Sequence, residues 1–583
     1  MRLIEIRLLD GPNVYRLEPA VKIEVALGRR RSWYGQRIPP RHALVRLGAA
    51  VPARTWPDQV AGVVAWLRRL RADHGEGTSG VAVHRSSDPG HWIVSYPWRG
   101  GERAQAIAQA ALTLAERNVS PTRRARLTGA QQRLVSRWSE RISAAKATPP
   151  AWIRTVDRRM PIVSISGTNG KSTVTRLITH ILVNAGRHVG TTTSDGVLVD
   201  ERMVEPGDWT GPGGAAQILQ RDDIDVAVLE TARGGIVLRG AGYESNDASV
   251  ITNVSSDHLD LQGIHTLPEL AEVKATICRI TKPDGWVVLN GDDPFVAQTA
   301  RRVRARVAFF SLADGGSPLV RRHLSRGGRA YLLRDGELVE ADGDRARSIV
   351  RVADVPIAIG GLARHNVANA LAAAGGARGV GASIAEVRAG LTDFRPSSER
   401  SPGRLNIFRV GSNVVIVDFA HNEAGVTAVL DVAEGIAAGA AGRTAPITMI
   451  IGTAGDRPDD TLRGVARIAA ERAQRIAIKE TLRYLRGRSR ESMIGELLAG
   501  VRAARFPTSE IPVYETETEA LEAELKRNGE TTARAATSRV VVLMCHEERE
   551  EVFRLLDRLG GRAVDVASEL TQLVPRLQDR PRS

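Results

Sequence analysis

The chain has 583 residues, 43% hydrophobic and 25% charged, ordinary globular usage that excludes wholesale disorder and collagen-like structure, and its length suits three or four domains. No apolar run approaches the ~20 residues that span a bilayer, Met1–Asp10 carries Arg2, Glu5 and Arg7 in place of a secretory apolar stretch, and Cys278 and Cys545 are too few for a disulfide framework, so a cytoplasmic location is expected. The net charge of +15 favours acidic partners such as nucleotides or anionic polymers, yet only seven of the 81 basic residues are lysine, a bias toward arginine that makes each lysine informative.

The first ~118 residues read as a small mixed α/β unit. Arg2–Leu9 and Ala20–Leu27 alternate like strands around a Gly11-Pro12-Asn13 turn. Gln59–Ala72 reads as an amphipathic helix, His91–Tyr96 as a strand and Ala104–Glu116 as an alanine-rich helix. Arg123, Arg124, Arg126, Arg133, Arg137, Arg141 and Lys146 then lead to Pro149-Pro150. This stretch reads as a solvated connecting helix, with an anionic-polymer or RNA contact as the sharper alternative.

From Met160 strands and helices alternate, which implies a parallel sheet. Pro161–Ser166 is a short apolar strand, followed by a glycine-rich turn and a helix whose Val174, Leu177, Ile178, Ile181 and Leu182 share one face. Asp225–Leu229, Ala248–Thr252 and Gly285–Leu289 are further buried-strand candidates, and residues 305–357 read as a β-rich flap. After Ser401-Pro402-Gly403, strands at Val414–Val417, Ile447–Ile451, Arg475–Ile478 and Val540–Met544 alternate with helices as in a Rossmann-like domain. The expected fold is therefore α/β and multi-domain. A small N-terminal α/β domain with its connecting helix takes residues 1–150, a central phosphate-loop domain with a parallel sheet 151–400, and a Rossmann-like domain 401–583.

The strand–turn–helix at Ser164–Thr173 carries the strongest chemistry. Gly167 and Gly170 let backbone N–H groups turn inward around phosphate oxygens, and the helix N-terminus adds partial positive charge. Lys171 is placed to reach the outer phosphates and Ser172 to ligate Mg²⁺. The spacing departs from the usual phosphate loop, because Ile165 stands where its first glycine belongs.

Gly167-Thr-Asn-Gly-Lys-Ser-Thr173 resembles the shorter ATP loop of the Mur ligase family, which joins a carboxylate to an amine through an acyl phosphate. Four more segments match that family in order: Leu229–Gly235, Thr252–Asp260, His365–Ala370 and Asp418–Asn422. Within the family the likeness is greatest to the Mur-ligase half of cyanophycin synthetases, in Thr191–Gly196, Thr210-Gly-Pro212, Gly360–Asn366 and Pro402–Asn406, and extends to the N-terminal unit in Leu9–Asn13. Those enzymes carry an ATP-grasp domain between the two parts, and here only ~35 residues separate them.

The resemblance implies a site. Lys171, Glu230, His258 and Lys274 would be catalytic, with Ser172, Glu230, His258 and Lys274 grouped around Mg²⁺. Gly167, Thr168, Asn169, Gly170, Lys171, Ser172 and Thr173 would bind ATP together with Asn366, Asn369, Arg404 and Asp418, His365 lying alongside. In the family the counterpart of Lys274 is carbamylated, which turns a cation into an oxygen donor suited to Mg²⁺, a change closed to the always-protonated guanidinium of arginine. His421, Asn422, Asp456 and Arg457 are substrate candidates, with Lys479-Glu480 and Arg486-Gly-Arg488 nearby. Each also has a plainer reading: a salt bridge for Glu230, packing or capping for His258, an exposed helix lysine for Lys274, helix capping for residues 365, 366 and 369, and solvated charge for 456, 457 and 479. The implied activity is an ATP- and Mg²⁺-dependent coupling of an amino acid to a carboxylate-bearing peptide or polymer like cyanophycin. The alternatives are a ligase of a cell-wall precursor or polyglutamate, and a non-catalytic ATP-binding partner of a separate ligase. No membrane contact is expected, nucleic acid is disfavoured, and a homo-oligomer is left open.

Overall fold

A computed structural model describes residues 1–28, 46–256, 259, 261–313, 316–439, 445–509, 511–527, 539–564 and 569. His258, Asp257 and Asp260 lie outside the described residues. Among those described, no helix is long and apolar enough to cross a membrane.

Three sheets organise the chain. The first is antiparallel, with strands in the order Arg2–Leu9, Ala20–Ala26, His91–Pro97, Ala82–Arg85. Helices Asp58–Asp73 and Gly101–Glu116 bury Val60, Val64, Trp66, Ile107 and Leu114 against it. Small alanines along Gly101–Glu116 let that helix approach closely, and Trp66 satisfies its indole N–H on the Val119 carbonyl at 2.8 Å. The basic helix Gly129–Ala144 starts with a capping box between Thr128 and Gln131 and turns Arg133, Arg137 and Arg141 to solvent.

The second sheet has eleven strands, and its centre is parallel. Ile162–Ser166 lies between Asn246–Ile251 and Val226–Glu230, mostly buried strands whose faces are covered by helices. Helix Lys171–Asn184 packs one face through Val174, Leu177, Ile178 and Ile181, beside the alanine-rich helix Arg364–Gly379. The stretch expected as a flap is part of this sheet instead. Arg306–Ser311 and Arg329–Arg334 add in parallel, and Glu337–Asp342 and Arg345–Arg351 extend it antiparallel. Short strands between glycine turns look alike in sequence whether they extend a sheet or form a separate layer.

The third sheet runs Val513–Tyr514, Arg475–Lys479, Ile447–Ile451, Arg539–Met544, Asn413–Asp418, Asn406–Val410, Arg562–Ala563, parallel through its first five strands. The segment 356–363 packs into both large cores. Ile357 and Ala358 belong to the central core, whereas Ile359 and Ala363 belong to the C-terminal one. The switch is made by consecutive left-handed residues, Ile359 (φ 49°), Gly360 (φ 60°) and Gly361 (φ 94°).

Candidate active site between the central and C-terminal lobes

The loop after Ile162–Ser166 is shaped by two glycines. Gly170 caps helix Lys171–Asn184 in the left-handed region (φ 83°), and a Cβ there would overlap the side-chain oxygen of Asn369. A Cβ on Gly167 would overlap the Thr252 hydroxyl. The close approach reflects a latch. Thr252 Oγ1 and Asn253 Nδ2 both donate to the Asn169 carbonyl (2.6 and 3.0 Å), and Asn253 Oδ1 accepts from the Asn169 N–H at 3.0 Å. Thr168 N–H donates to the Asn253 carbonyl at 2.8 Å. With its backbone so pinned, the loop is preorganised for an anion at the helix N-terminus.

Lys171 folds its ammonium back onto the Thr168 carbonyl at 2.9 Å. Strand register sets Glu230 beside Ile165, so its carboxylate arrives under the loop. Glu230 is 2% exposed. Burial pushes its pKa up, against the opposing pull of Lys171 and a hydrogen bond from Ser172. One of its oxygens, Oε2, is buried with no hydrogen-bond partner. An ionisable group so placed is stable only with a cation or a proton, and Ser172 and Glu230 fit a hard divalent ion. Lys274, on helix Leu267–Lys274, is not exposed: it is 4% accessible and donates to the Gly167 carbonyl at 2.6 Å.

Asn366 and Asn369 are buried at the start of helix Arg364–Gly379. Asn366 donates to the Ile357 carbonyl at 3.0 Å and accepts from Asn369 at 3.0 Å. Asn366 also lines a small cleft with Ile359, Pro396, Leu405 and Ile407. Burial holds His365 neutral, its pKa lowered to about 4, with Asp431 opposing.

The C-terminal lobe reaches the loop at two points. Arg404 lies 4.8 Å over the Phe419 ring and donates to the Ser172 hydroxyl at 3.4 Å. Its backbone is fixed through Asp418, whose carboxylate accepts from the Leu405 N–H at 2.7 Å. Burial raises the Asp418 pKa to about 6, against the pull of Arg404 and those backbone bonds. Asn422, a substrate candidate by sequence, pairs instead with the phosphate loop: it donates to Asn169 Oδ1 at 3.0 Å and accepts from Asn169 Nδ2 at 3.2 Å. Neighbouring His421 bonds the Phe419 carbonyl through Nδ1 at 2.9 Å.

Asp456 and Arg457 meet neighbours of the C-terminal lobe. Asp456 pairs with Arg486, Arg457 is buried, and Arg488 donates to the Arg457 carbonyl at 3.0 Å. Glu480 takes a bidentate pair from Arg490. Lys479 is neither a surface charge nor cleft-facing. It is 1% exposed and buried against Glu517 and His546.

Sequence reasoning missed the latch residues Thr252 and Asn253, and a charged clasp around Asp195. Asp195 accepts from Arg176 of its own lobe at 2.9 Å and from Arg549 of the other at 2.8 Å. Burial raises its pKa, but Arg404, Arg549 and Arg176 together overcome this and hold it at about 2. The Asn at a strand end opposite a glycine loop was a usable signal for the latch; a partner 354 residues away left none for Arg549.

Residues 165–377 match the Mur ligase middle domain family. The chain is 40% identical over 343 residues to a cyanophycin synthetase of Trichormus variabilis, which covers 59% of this chain and 37% of that protein. It is 28% identical over 329 residues to the UDP-N-acetylmuramoyl-L-alanyl-D-glutamate–2,6-diaminopimelate ligase of Alkalilimnicola ehrlichii, covering 55% and 61% respectively. The chain thus spans little more than a third of the cyanophycin synthetase it matches. The segment that matches the Mur ligase middle domain thus starts at the glycine loop and ends just beyond Asn366 and Asn369.

Proposed function

We propose that the chain is an ATP- and Mg²⁺-dependent amide ligase that energises a carboxylate as an acyl phosphate and couples it to an amino-acid amine. Phosphoryl transfer is catalysed mostly by positioning and charge neutralisation, and that is what these residues are built to supply. The observation that carries the reading is Glu230, buried with an unpartnered oxygen next to Ser172 and Lys171. When bound, Mg²⁺ would neutralise phosphate charge there. Ser172, Glu230 and, by family resemblance, His258 and a carbamylated Lys274 would hold it.

Lys171 would leave the Thr168 carbonyl for the outer phosphates, and the N–H groups at the helix start, residues 170–172, would surround them. Arg404 would bring a second cation from the opposite lobe, while Asn366, Asn369 and Asp418 line the adenosine side. Lobe closure would exclude water, protecting an activated acid from hydrolysis. His421, Asp456 and Arg457 would face the incoming amine or product. The 40% identity to a cyanophycin synthetase supports an aspartate-rich peptide or cyanophycin-like acceptor. The sequence between the basic helix and the phosphate loop has no room for a second ATP-using domain.

The test is phosphate release from ATP, screened across amino acids with aspartate-rich peptides as acceptors. Release dependent on both an amino acid and an acceptor is expected, and Lys171→Ala should abolish it. Unchanged turnover in Lys171→Ala would remove the phosphate loop from the chemistry.

A further inference from the structure

The C-terminal lobe contains a buried polar chain with no place in the reaction above. Lys479, at the end of strand Arg475–Lys479, donates to Glu517 Oε1 at 2.5 Å and lies 3.0 Å from His546 Nδ1. His546 Nε2 is 2.9 Å from the Ala420 carbonyl. A carbonyl only accepts, so the imidazole proton is on Nε2 and Nδ1 accepts from the lysine. Glu517 fixes the far end. Its carboxylate takes the backbone N–H groups of His546 (2.6 Å), Glu547 (3.1 Å) and Glu548 (2.9 Å), and the Cys545 thiol at 3.1 Å.

Nothing in this chain faces the cleft, and Glu517, Lys479 and His546 are 1%, 1% and 8% exposed. It reaches the segment that carries Asp418 and Asn422 through the Ala420 carbonyl, and the His546 ring packs beside it on Phe419, centroids 5.0 Å apart. The Lys479 stem also crosses Gly452, where a Cβ would crowd the lysine's Cε and Cδ at 2.7 and 2.9 Å. The slot therefore suits a slim unbranched stem with a point charge, which explains a lysine here in an arginine-biased chain.

We propose that Lys479 and His546 are positioning residues: by holding the Ala420 carbonyl they aim Asn422 at Asn169 and so set the C-terminal lobe on the phosphate loop. The role rests on the ligase reading only where nucleotide is concerned, so two measurements separate them. The first needs no nucleotide. Hydrogen exchange of the whole chain should show faster exchange over residues 419–425 in His546→Ala, with the central strands Ile447–Ile451 and Arg539–Met544 unchanged. Lys479→Met breaks the chain at its middle link and should give the same local pattern, which covers the case in which His546→Ala does not fold.

The second measurement is affinity for a fluorescent ATP analogue with Mg²⁺. His546→Ala and Asn422→Ala should each weaken it about fivefold to tenfold, the worth of one or two hydrogen bonds. The double variant should bind no more weakly than the weaker single variant, since both act through one contact. Exchange that is unaltered at 419–425 or raised uniformly across the lobe, or affinity losses that multiply, would overturn the proposal. Undiminished binding in Lys171→Ala would instead overturn the nucleotide reading and leave the exchange result to decide on Lys479 and His546.

Discussion

Replacing Asp195 by asparagine removes the charge that lets three guanidiniums converge at the lobe boundary. Its side chain is 7% exposed, so solvent screens the interaction little. The carboxyl titrates at about 2 against an ordinary 3.8, nearly two units, which corresponds to about 2.5 kcal/mol of net favourable interaction. Shared among Arg176, Arg404 and Arg549, this gives about 1 kcal/mol for the inter-lobe pair with Arg549. A depressed carboxyl stabilises the fold fully above its unfolded pKa. Its contribution is therefore complete above about pH 4 and is lost as pH falls through about 2. The assay is urea unfolding of wild type, Asp195→Asn, Arg549→Met and the double variant, followed by tryptophan fluorescence and far-ultraviolet circular dichroism. All nine tryptophans precede residue 287, so fluorescence follows the first two units and dichroism follows the whole chain. A coupling near 1 kcal/mol at pH 7 is expected. A coupling below about 0.3 kcal/mol, or one that persists at pH 2, would refute the assignment.

Three further outcomes are expected. Glu230→Gln removes a carboxylate that burial disfavours, so the unliganded protein should melt no lower than wild type, while the thermal shift produced by Mg²⁺ with ATP should vanish. Gly170→Ala forces a side chain into φ 83° against Asn369 and should weaken an ATP analogue at least tenfold in a binding titration, roughly the 1–2 kcal/mol of left-handed backbone cost. Asn253→Ala breaks two bonds to Asn169; amide exchange at residues 168–170 should accelerate, with the strand Asn246–Ile251 unaffected.

What the sequence made legible was local. The phosphate loop, its helix and the buried parallel strands follow from glycine spacing and apolar periodicity within about twenty residues, whereas Glu230 was singled out by family resemblance. Residues 305–357 were misread because alternation reports that a strand has one covered face, not which sheet it joins. Lys479 reads as surface charge unless Glu517 and His546 are known to meet it, 38 and 67 residues on. The pairing of Asn422 with Asn169 spans 253 residues and leaves no local trace. In each case the missing information was a long-range contact, set by how sheets stack and not by any pattern in the neighbouring chain.

The strand of backbone at 356–363 has a mechanical meaning. Ile357 is anchored in one core and Ile359 in the other, so any swing of one body on the other would load this stretch. Asn366 and Asn369 follow this stretch directly, on a helix of the central core, whereas Asn422 and Arg549 belong to the other body. The cradle for a base would thus stay assembled while the grip on the phosphates opens and shuts.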